Sequence, residues 1–257
     1  MSEMNEIIKR QFDSQAQNFS AWSVTKNTEY QDAYFDFCGL SEQDTFLDFA
    51  CGTGDYVIAA ANRVEYAYGI DISEGMIGIA GEQAQKAGVK NAGFLCRPVE
   101  DTPFENETFS IVSCRSAFHH FHDYEGIIDE MIRCCKKGGR IGIQDIAAYP
   151  DDKIDSFFEQ LEKQIDISHN KTVSKAFITD LFNQKGIEVT RTFDIRIDLN
   201  FQDYLGHARQ SEQSRSEIRK LLETGLEDPR ISEFFFVRDQ DLFFKRDVFV
   251  ILGTKPL

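Results

Sequence analysis

The sequence predicts an α/β fold, a doubly wound and mostly parallel sheet with helices on both faces. Two observations support this fold class. Short apolar runs alternate with helical segments between residues 44 and 147, and alternation of this kind builds a parallel sheet. A glycine-bearing turn, Cys51-Gly-Thr-Gly54, follows the first strand, at the edge where open sheets of this class bind ligands.

Apolar periodicity places the elements along the chain. The first forty residues carry a helical apolar stripe, interrupted around residues 14–18. Strands are predicted at residues 45–49, 65–70, 92–97, 109–114 and 140–146, and helices at 56–62, 73–87 and 124–135. After Pro150 we expect helices at 151–165 and 174–184, strands at 187–197 and 247–252, and a polar helical stretch at 201–227. Crossovers between parallel strands are expected to be right-handed.

The 257 residues are predicted to form a single domain, residues 1–257. Residues 1–40 are helical, residues 41–147 hold the glycine turn and the first five strands, and residues 148–257 form a C-terminal half. Within that half, residues 198–245 are interpreted as a helical cap before the last strand. They are too few and too polar to hold a large core alone.

Charge argues against a nucleic-acid substrate. The chain has 28 Lys and Arg against 43 Asp and Glu, which gives a net charge of −15, and such a field repels a phosphate backbone. The densest basic segment is Arg133 to Arg140, which fits the cations that favour the end of a helix.

The six cysteines are interpreted as reduced thiols, because no pair has Cys-x-x-Cys spacing. The first ten residues are charged and contain no apolar core of signal-peptide length. No segment approaches the roughly 20 apolar residues of a membrane span. These features predict a cytoplasmic protein, and they leave its oligomeric state, monomer or homodimer, open.

The turn after the first strand predicts a nucleoside ligand. Gly52 and Gly54 let the backbone approach a ligand closely, and the next helix offers free N–H groups there. Asp71 ends the second strand about twenty residues on, where an acid accepts both hydroxyls of a ribose. A glycine turn and an acid at these two places together form a much stronger signal than either alone.

The same turn favours S-adenosylmethionine over NAD or FAD. A dinucleotide fingerprint has a third glycine where this chain has Val57. Asp48, just ahead of the turn, would repel a pyrophosphate and attract the ammonium of an amino acid.

At this point the sequence resembles a known family. Asp48-Phe-Ala-Cys-Gly-Thr-Gly54 and Gly69-Ile-Asp-Ile-Ser73 look like motifs I and II of the class I methyltransferases. Further similar segments are Pro103-Phe104, Phe109-Ser-Ile-Val112, His119-His-Phe121 and Arg133 to Gly139. They resemble the branch of ubiquinone and menaquinone biosynthesis methyltransferases and their small-molecule relatives. The resemblance covers about residues 40–147 and is specific for fold and cofactor, but it does not name the methyl acceptor.

The resemblance implies a Rossmann-like sheet of seven strands with an antiparallel last strand, an N-terminal helical lid, and a helical insertion before the last strand. It also implies roles for single residues: Asp48 and the backbone of the turn hold the methionine part, Asp71 the ribose, and Ile72 and Met76 the adenine ring. The implied cofactor-binding set is Asp48, Ala50, Gly52, Gly54, Asp71, Ile72, Met76, Pro98, Val99, Glu100 and Ser116.

The chain departs from the family at Pro98, where an Asp usually accepts from the adenine amino group. Proline offers no side-chain acceptor and no N–H. Either Glu100 or a backbone carbonyl replaces that Asp, or adenine is held less specifically, while Val99 offers its backbone to the adenine edge.

Three residues near the ends of the fourth and fifth strands are candidates for catalysis. His119 is the candidate general base, and helix capping or packing is the alternative for it and for His120. Arg115 either clamps an acidic acceptor or pairs with Asp145 or Glu100. Asp145 is a candidate for orienting the nucleophile. His122 adds a third histidine nearby, but without a carboxylate cluster we expect no metal.

Aromatic residues suggest how the site is covered. Phe12, Phe19 and Trp22 either form a lid over the cofactor or simply pack the first helix. Phe234-Phe-Phe236 and Phe243-Phe244 either line an apolar acceptor pocket or lie in the core, of which we favour the core.

The predicted function is methyl transfer to a small molecule by direct displacement at the sulfonium methyl. The alternative is a protein of the same fold that binds S-adenosylmethionine without methylating, in a regulatory or scaffold role. NAD-dependent redox chemistry and nucleic-acid methylation are less favoured by the residues of the turn and by the charge.

Overall fold

The computed structural model describes residues 2–257, so Met1 of the predicted N-terminal region lies outside the described residues. The described residues form one sheet of eight strands: β1 (Thr45–Phe49), β2 (Tyr66–Asp71), β3 (Ala92–Cys96), β4 (Phe109–Arg115), β5 (Cys135–Ile146), β6 (Glu188–Asn200), β7 (Phe235–Arg238) and β8 (Asp241–Thr254). The order across the sheet is β3-β2-β1-β4-β5-β8-β6. β1 to β5 pair in parallel, and β8 is antiparallel to β5 and β6. The predicted fold class is confirmed.

Ten α-helices accompany the sheet in the described part of the chain: α1 (Glu3–Ala21), α2 (Thr28–Cys38), α3 (Asp55–Ala60), α4 (Glu74–Lys86), α5 (Tyr124–Cys134), α6 (Asp152–Ile165), α7 (Lys175–Gln184), α8 (Phe201–His207), α9 (Glu212–Gly225) and α10 (Pro229–Ser232). Short 3-10 turns lie at Ser23–Lys26 and Phe118–His120. The hydroxyl of Ser73, predicted to start a helix, accepts from the Met76 N–H at 3.1 Å and caps α4. Between residues 2 and 257, no helix has the length and apolar character needed to cross a bilayer.

β7 is the strand that the sequence did not predict. It forms a hairpin with β8, with Arg238 opposite Asp241. The two turn residues, Asp239 and Gln240, both have positive φ, 52° and 74°, as the tight turn of a two-residue hairpin requires. Asp-Gln lacks the glycine that usually marks such a turn, so no residue type in the sequence indicates it.

Apolar cores lie on both faces of the sheet, and a third core lies under the cap. Phe49 and Phe118 belong to the first, Phe46 to the second, and all three are fully buried. Burial of one such side chain contributes about 1.5–3 kcal/mol. Phe234 and Phe244 lie in the third core, with α6 and α8. The preferred prediction of core burial therefore holds for these two.

A glycine on β2 compensates for the absent third glycine of the turn. A Cβ added at Gly69 would lie 2.6 Å from the Cys51 Sγ and 2.9 Å from the Val57 Cγ2. α3 thus packs closely on the sheet because the strand, rather than the helix, has a glycine at the contact.

The helix α1 is continuous through residues 14–18, where its predicted apolar stripe is interrupted. Ser14, Gln17 and Asn18 are exposed there, whereas Gln15 is buried together with Gln11. The Gln11 amide donates to the Gln15 side chain at 3.0 Å, and the Gln15 amide donates to the Asp166 carboxylate at 3.3 Å. A buried face made of paired glutamines has no apolar signature in the sequence.

Asp13 fastens α1 to the start of α4. Its Oδ1 accepts from the Ser73 hydroxyl at 2.7 Å and from the Gly75 N–H at 3.0 Å, and Lys9 pairs with Oδ2 at 2.7 Å. A carboxylate suits this place because free N–H groups and the positive end of the helix dipole are there. The N-terminal helix is thereby held against the ligand-binding edge of the sheet.

Candidate active site

A large cavity opens at the edge where the parallel strands end. It is lined by residues at or just after the ends of the strands β1 to β4, namely 50–53, 71–72, 98–100 and 115–117. Gln144 and Ile146 of β5 also line it. It encloses about 2060 Å³ of atom-free space, open solvent at its mouth included. The cavity joins the glycine-turn edge of the sheet to the end of β5.

Asp71 organises the glycine turn on one side of the cavity. Its Oδ2 accepts from the Gly52 N–H and its Oδ1 from the Ser73 N–H, both at 2.9 Å. Burial raises the pKa of Asp71 to about 6, although these two N–H groups favour its charged form. The carboxylate ties the turn after β1 to the end of β2.

The two glycines of the turn have different roles. Gly52 has a φ of 54°, and a Cβ added there would lie no closer than 3.6 Å to the Phe19 ring, so its backbone faces free space in the cavity. Gly54 does not line the cavity, and a Cβ there would lie 2.7 Å from the Phe94 ring and 2.8 Å from the Ala80 Cβ. We therefore correct the prediction for Gly54, which serves packing rather than close approach to a ligand.

Two residues other than glycine have a left-handed backbone conformation at this edge. Ala50 follows β1 with a φ of 54°, and Ser116 follows β4 with a φ of 49°. Both line the cavity. Strain of this kind costs about 1–3 kcal/mol per residue and tends to occur at ligand sites.

Asp48 lies beneath the floor of the cavity rather than in its wall. It is 1% exposed, and its Oδ1 has no hydrogen-bond partner among the described residues. Burial raises the pKa of Asp48 to about 6, although the charge of Arg115 and a hydrogen bond with Ser113 pull it down. A buried carboxylate with a free oxygen favours a cationic or donor group above it.

Arg115 lines the cavity and stacks over the ring of Tyr56. The predicted alternatives of an ion pair with Asp145 or Glu100 are wrong, because within residues 2–257 neither carboxylate pairs with it and Asp145 bonds to a histidine instead. The Arg115 guanidinium is the one Lys or Arg side chain among the cavity-lining residues described.

The predicted adenine-side residues line the same cavity. Ile72, Met76, Pro98, Val99 and Glu100 all contribute to its wall. Met76 and Val99 are buried, and the Cys96 thiol donates to the Ile72 carbonyl at 3.6 Å, which ties the end of β3 to the end of β2.

His119 and Asp145, predicted as separate candidates, form a pair. The His119 Nδ1 lies 2.6 Å from the Asp145 Oδ1, and the His119 N–H donates to Oδ2 at 3.2 Å. Burial lowers the pKa of His119, but the charge and hydrogen bond of Asp145 outweigh burial and raise it above the usual 6.5. Since Nδ1 is held by the fully buried Asp145, Nε2 is the ring nitrogen left for the cavity that His119 lines.

Comparison with known proteins shows similarity to methyltransferases. Residues 47–143 match the family model of a methyltransferase domain. The uncharacterised methyltransferase YcgJ of Bacillus subtilis is 34% identical over 123 residues, which are 48% of this chain and 49% of that protein. The demethylmenaquinone methyltransferase of Bacillus cytotoxicus is 33% identical over 98 residues, 37% of this chain and 41% of that protein. The chain thus spans about half or less of the length of these relatives.

The solved structure of YcgJ superimposes with a TM-score of 0.82 over 90% of this chain and 100% of that chain, at 22% identity. At this identity the likeness shows the shared fold alone.

Residues 47–143 of this chain carry a methyltransferase domain. The motif resemblance implies that the cofactor of this domain is S-adenosylmethionine. The glycine turn, Asp71 and the adenine-side wall lie within or near the matched segment, whereas the C-terminal half lies outside it.

The cavity also contains residues that the sequence did not indicate. Glu162 and Ile165 line it from α6, and Asp166 and His169 line it from the turn after that helix. Because the Asp166 backbone is extended, with φ −131° and ψ 115°, helical spacing does not continue beyond Ile165. No local pattern in the sequence therefore places these four side chains together.

Some of these residues belong to a buried polar network around His120. The Ser168 hydroxyl bonds to the Asp166 carboxylate at 2.5 Å, and the His120 Nδ1 lies 3.1 Å from both the hydroxyl and the carbonyl of Ser168. Burial and the neighbouring charge of His119 lower the pKa of His120 to about 3. His120 is therefore a neutral packing residue, and the two adjacent histidines have different electrostatic character.

The predicted lid residues Phe12, Phe19 and Trp22 line the cavity. The Trp22 ring stacks on His207 of α8 with centroids 4.5 Å apart. The N-terminal helix and the cap thus meet over the cavity.

The apolar wall of this part is formed by residues other than the predicted aromatic runs. Of Phe234-Phe-Phe236 and Phe243-Phe244, none lines the cavity. The wall is instead formed by β-branched and aliphatic side chains on β6 and β8: Ile195, Ile197, Leu199, Val248 and Val250.

Proposed function

We propose that this chain is a methyltransferase that transfers the methyl group of S-adenosylmethionine to a small, largely apolar acceptor. The observation that supports it best is that the His119–Asp145 pair lines the same cavity as the glycine turn with Asp71. Candidate cofactor-binding groups and a candidate base therefore share one space.

The residues present fit S-adenosylmethionine. The Gly52 backbone faces free space, Asp71 stands at the end of β2 as a ribose acceptor requires, and the unpartnered Oδ1 of buried Asp48 favours the amino-acid ammonium above it. In this proposal Ala50 and Ser116 bind through their backbone, and Ile72, Met76, Pro98, Val99 and Glu100 surround the adenine. Bound S-adenosylmethionine supplies an electrophilic methyl group on a sulfonium. The neutral sulfide that leaves when the methyl group is transferred is a good leaving group.

The protein then has three tasks. The walls of the cavity align the acceptor with the methyl group, the lid and cap exclude water, and a base takes a proton where the acceptor carries one. His119 is suited to the third task. Asp145 holds its Nδ1–H, so the neutral ring presents Nε2 as a proton acceptor.

The charge of the cavity supports a neutral acceptor. Five carboxylates line it, at Asp55, Asp71, Glu100, Glu162 and Asp166, and Arg115 is the one Lys or Arg side chain in the described part of that lining. Asp55 is paired with Lys26 and Glu162 with Arg246, which both lie outside the lining, so three carboxylates face one guanidinium. Phosphorylated acceptors and nucleic acids would be repelled. The apolar wall on β6 and β8 supports an apolar body, and one curated relative is named a demethylmenaquinone methyltransferase.

The proposal treats residues 1–257 as one methyltransferase domain, with residues 1–40 as lid and 198–245 as cap. The contacts of Asp13 with α4 and of Trp22 with α8 support it. We place the enzyme in the cytoplasm, which its six free cysteines support.

Mass spectrometry tests the function directly. The protein is incubated with a metabolite pool and S-adenosylmethionine that carries a deuterated methyl group. We expect one or more metabolites to gain that group and S-adenosylhomocysteine to accumulate. A protein that binds S-adenosylhomocysteine but leaves the pool unlabelled would instead favour the alternative, a binding protein of the same fold.

A further inference from the structure

One wall of the cavity carries a buried acid that the proposed chemistry does not use. Glu162 of α6 is 4% exposed and lines the cavity next to Ile165. It lies away from the glycine turn in sequence, outside the segment that matches the family model.

The two carboxylate oxygens of Glu162 have different surroundings. The Tyr204 hydroxyl donates to Oε2 at 2.7 Å. Oε1 lies 3.3 Å from the Arg246 Nε, which is ion-pair distance, but without hydrogen-bond geometry. Oε1 is therefore a buried acceptor with no donor among the described residues, and an unmade hydrogen bond to a buried charged group is costly.

The charge of Glu162 is already balanced. Arg246 is fully buried behind it, donates to the Ala147 carbonyl at 3.1 Å, and lies over the rings of Tyr149 and Phe158 at 5.2 and 5.1 Å. A ligand with a fixed positive charge would bring a second cation to this pair. An uncharged hydrogen-bond donor would bond to Oε1 without that repulsion.

A second unpartnered atom belongs to another residue that contacts the same tyrosine. Trp22 lines the cavity, and its ring lies 5.9 Å from the ring of Tyr204. Its Nε1 is buried with no hydrogen-bond partner among the described residues. Tyr204 therefore contacts both residues, Glu162 through its hydroxyl and Trp22 through its ring.

A hydroxyl group is a partner that suits an unpaired acceptor such as Glu162 Oε1 and an unpaired donor such as Trp22 Nε1 alike. It donates one proton and accepts through its oxygen, whereas an ammonium only donates and a carboxylate only accepts. The adjoining wall of Ile197, Leu199 and Val248 suits an apolar chain or ring attached to that hydroxyl.

We propose that Glu162 is a specificity-determining residue that positions the methyl acceptor by accepting a hydrogen bond from a hydroxyl of an otherwise apolar molecule. This inference rests on the proposed function of the cavity. Glu162 positions the molecule and His119 takes the proton where one must leave.

Trp22 is the one tryptophan of the chain, so its fluorescence reports on this part of the cavity. The protein with bound S-adenosylhomocysteine is titrated with 1-octanol, octylamine and octanoate, which share one apolar tail. We expect 1-octanol to bind about ten-fold more tightly than the other two. In Glu162→Leu, 1-octanol is expected to lose about ten-fold in affinity and so lose its preference, while Glu162→Gln keeps an acceptor oxygen and most of the binding.

Removal of Glu162 alone leaves Arg246 buried without its counter-charge, which destabilises proteins. The double variant E162L/R246M replaces the pair by apolar side chains and keeps the test usable if the single variant does not fold. Asp152→Asn, in the exposed first turn of the same helix, is the matched control and is expected to bind all three probes as wild type does.

The outcomes separate this inference from the function. If S-adenosylhomocysteine does not bind wild type in calorimetry, the proposed function fails. If it binds, but 1-octanol binds Glu162→Leu or the double variant as it binds wild type, the role of Glu162 is overturned. Tighter binding of octylamine or octanoate than of 1-octanol would overturn the assignment of a hydroxyl.

Discussion

The two halves of the cavity are built in different ways. The half at β1 to β3 uses backbone groups and buried carboxylates from two short segments, 48–54 and 71–76. The half at α6, β6 and β8 uses side chains from elements that lie far along the chain from the lid that covers them, as the contact of Trp22 with Tyr204 illustrates. In our proposal, the first half holds the cofactor and the second half holds the acceptor.

This difference predicts where substitutions separate binding from turnover. Changes in the first half should alter cofactor affinity and the stability of the unliganded protein. Changes around His119 should alter turnover at constant cofactor affinity. The predictions below begin with the largest expected effect.

Replacement of His119 by Asn should lower methyl transfer about 10²- to 10³-fold, because general base catalysis contributes about this much. The dissociation constant of S-adenosylhomocysteine, measured by calorimetry, should stay within about two-fold, because the cofactor-binding half is intact. His122→Asn, on an exposed neighbour, is the matched control. Unchanged turnover in His119→Asn with an acceptor that carries an acidic proton would remove His119 from the mechanism.

Replacement of Asp145 by Asn should lower the pKa of His119 from above 6.5 to below it. Burial alone pushes this pKa down, and the charge of Asp145 is what raises it. The acid limb of the rate profile should therefore move to lower pH in the variant, since the base is active when neutral. NMR titration of the five histidines gives the pKa directly, with His119→Asn to assign the signal, and a pKa that does not fall would contradict the pairing.

Replacement of Asp48 by Asn should stabilise the unliganded protein at neutral pH and weaken its binding of the cofactor. The pKa of Asp48 is about 6, above its usual 3.8. A carboxyl with a raised pKa contributes stability below about pH 4 and loses that contribution as the pH rises through 6. Since Asn imitates the protonated form, we expect a gain of roughly 1–3 kcal/mol at pH 7.5.

Urea unfolding at pH 7.5 and pH 4.5 measures this gain, which should shrink at the lower pH. Asp101→Asn, at an exposed position, should show no such difference. Equal stabilities of wild type and Asp48→Asn at both pH values would contradict the assigned ionisation.

Replacement of Asp13 by Ala should have the smallest effect. It removes the acceptor of the Ser73 hydroxyl and the Gly75 N–H, and loss of a side-chain acceptor at a helix start costs about 1 kcal/mol. Cofactor affinity should fall a few-fold because α1 carries Phe12 and Phe19 of the lid. Glu6→Gln, on the exposed face of α1, is the control, and identical affinities would show that the lid does not depend on this contact.

The sequence predicted the first half of the cavity better than the second, for a physical reason. Asp48, Gly52 and Asp71 are recognisable because the turn and the strand end lie within one strand–helix–strand unit of the chain. Gly54 was misjudged because its neighbours, Phe94 and Ala80, come from other elements.

The second half depends on contacts that no local pattern shows. The pairing of His119 with Asp145 joins two strand ends 26 residues apart, and each residue was predicted without its partner. Glu162 lies on the buried face of α6 and Asp166 lies just after the last residue of that helix. Their partners Arg246, Tyr204 and Gln15 come from distant elements. The turn of the β7–β8 hairpin, at Asp239 and Gln240, lacks the glycine that sequence rules look for.

Calorimetric titration with S-adenosylhomocysteine tests the central claim most directly, that the first half of the cavity is a cofactor site organised by Asp71. We expect binding of one molecule per chain, a loss of about ten-fold or more in Asp71→Asn, and no binding of NADH. Absence of heat with S-adenosylhomocysteine, equal binding by wild type and Asp71→Asn, or preferential binding of NADH would contradict it.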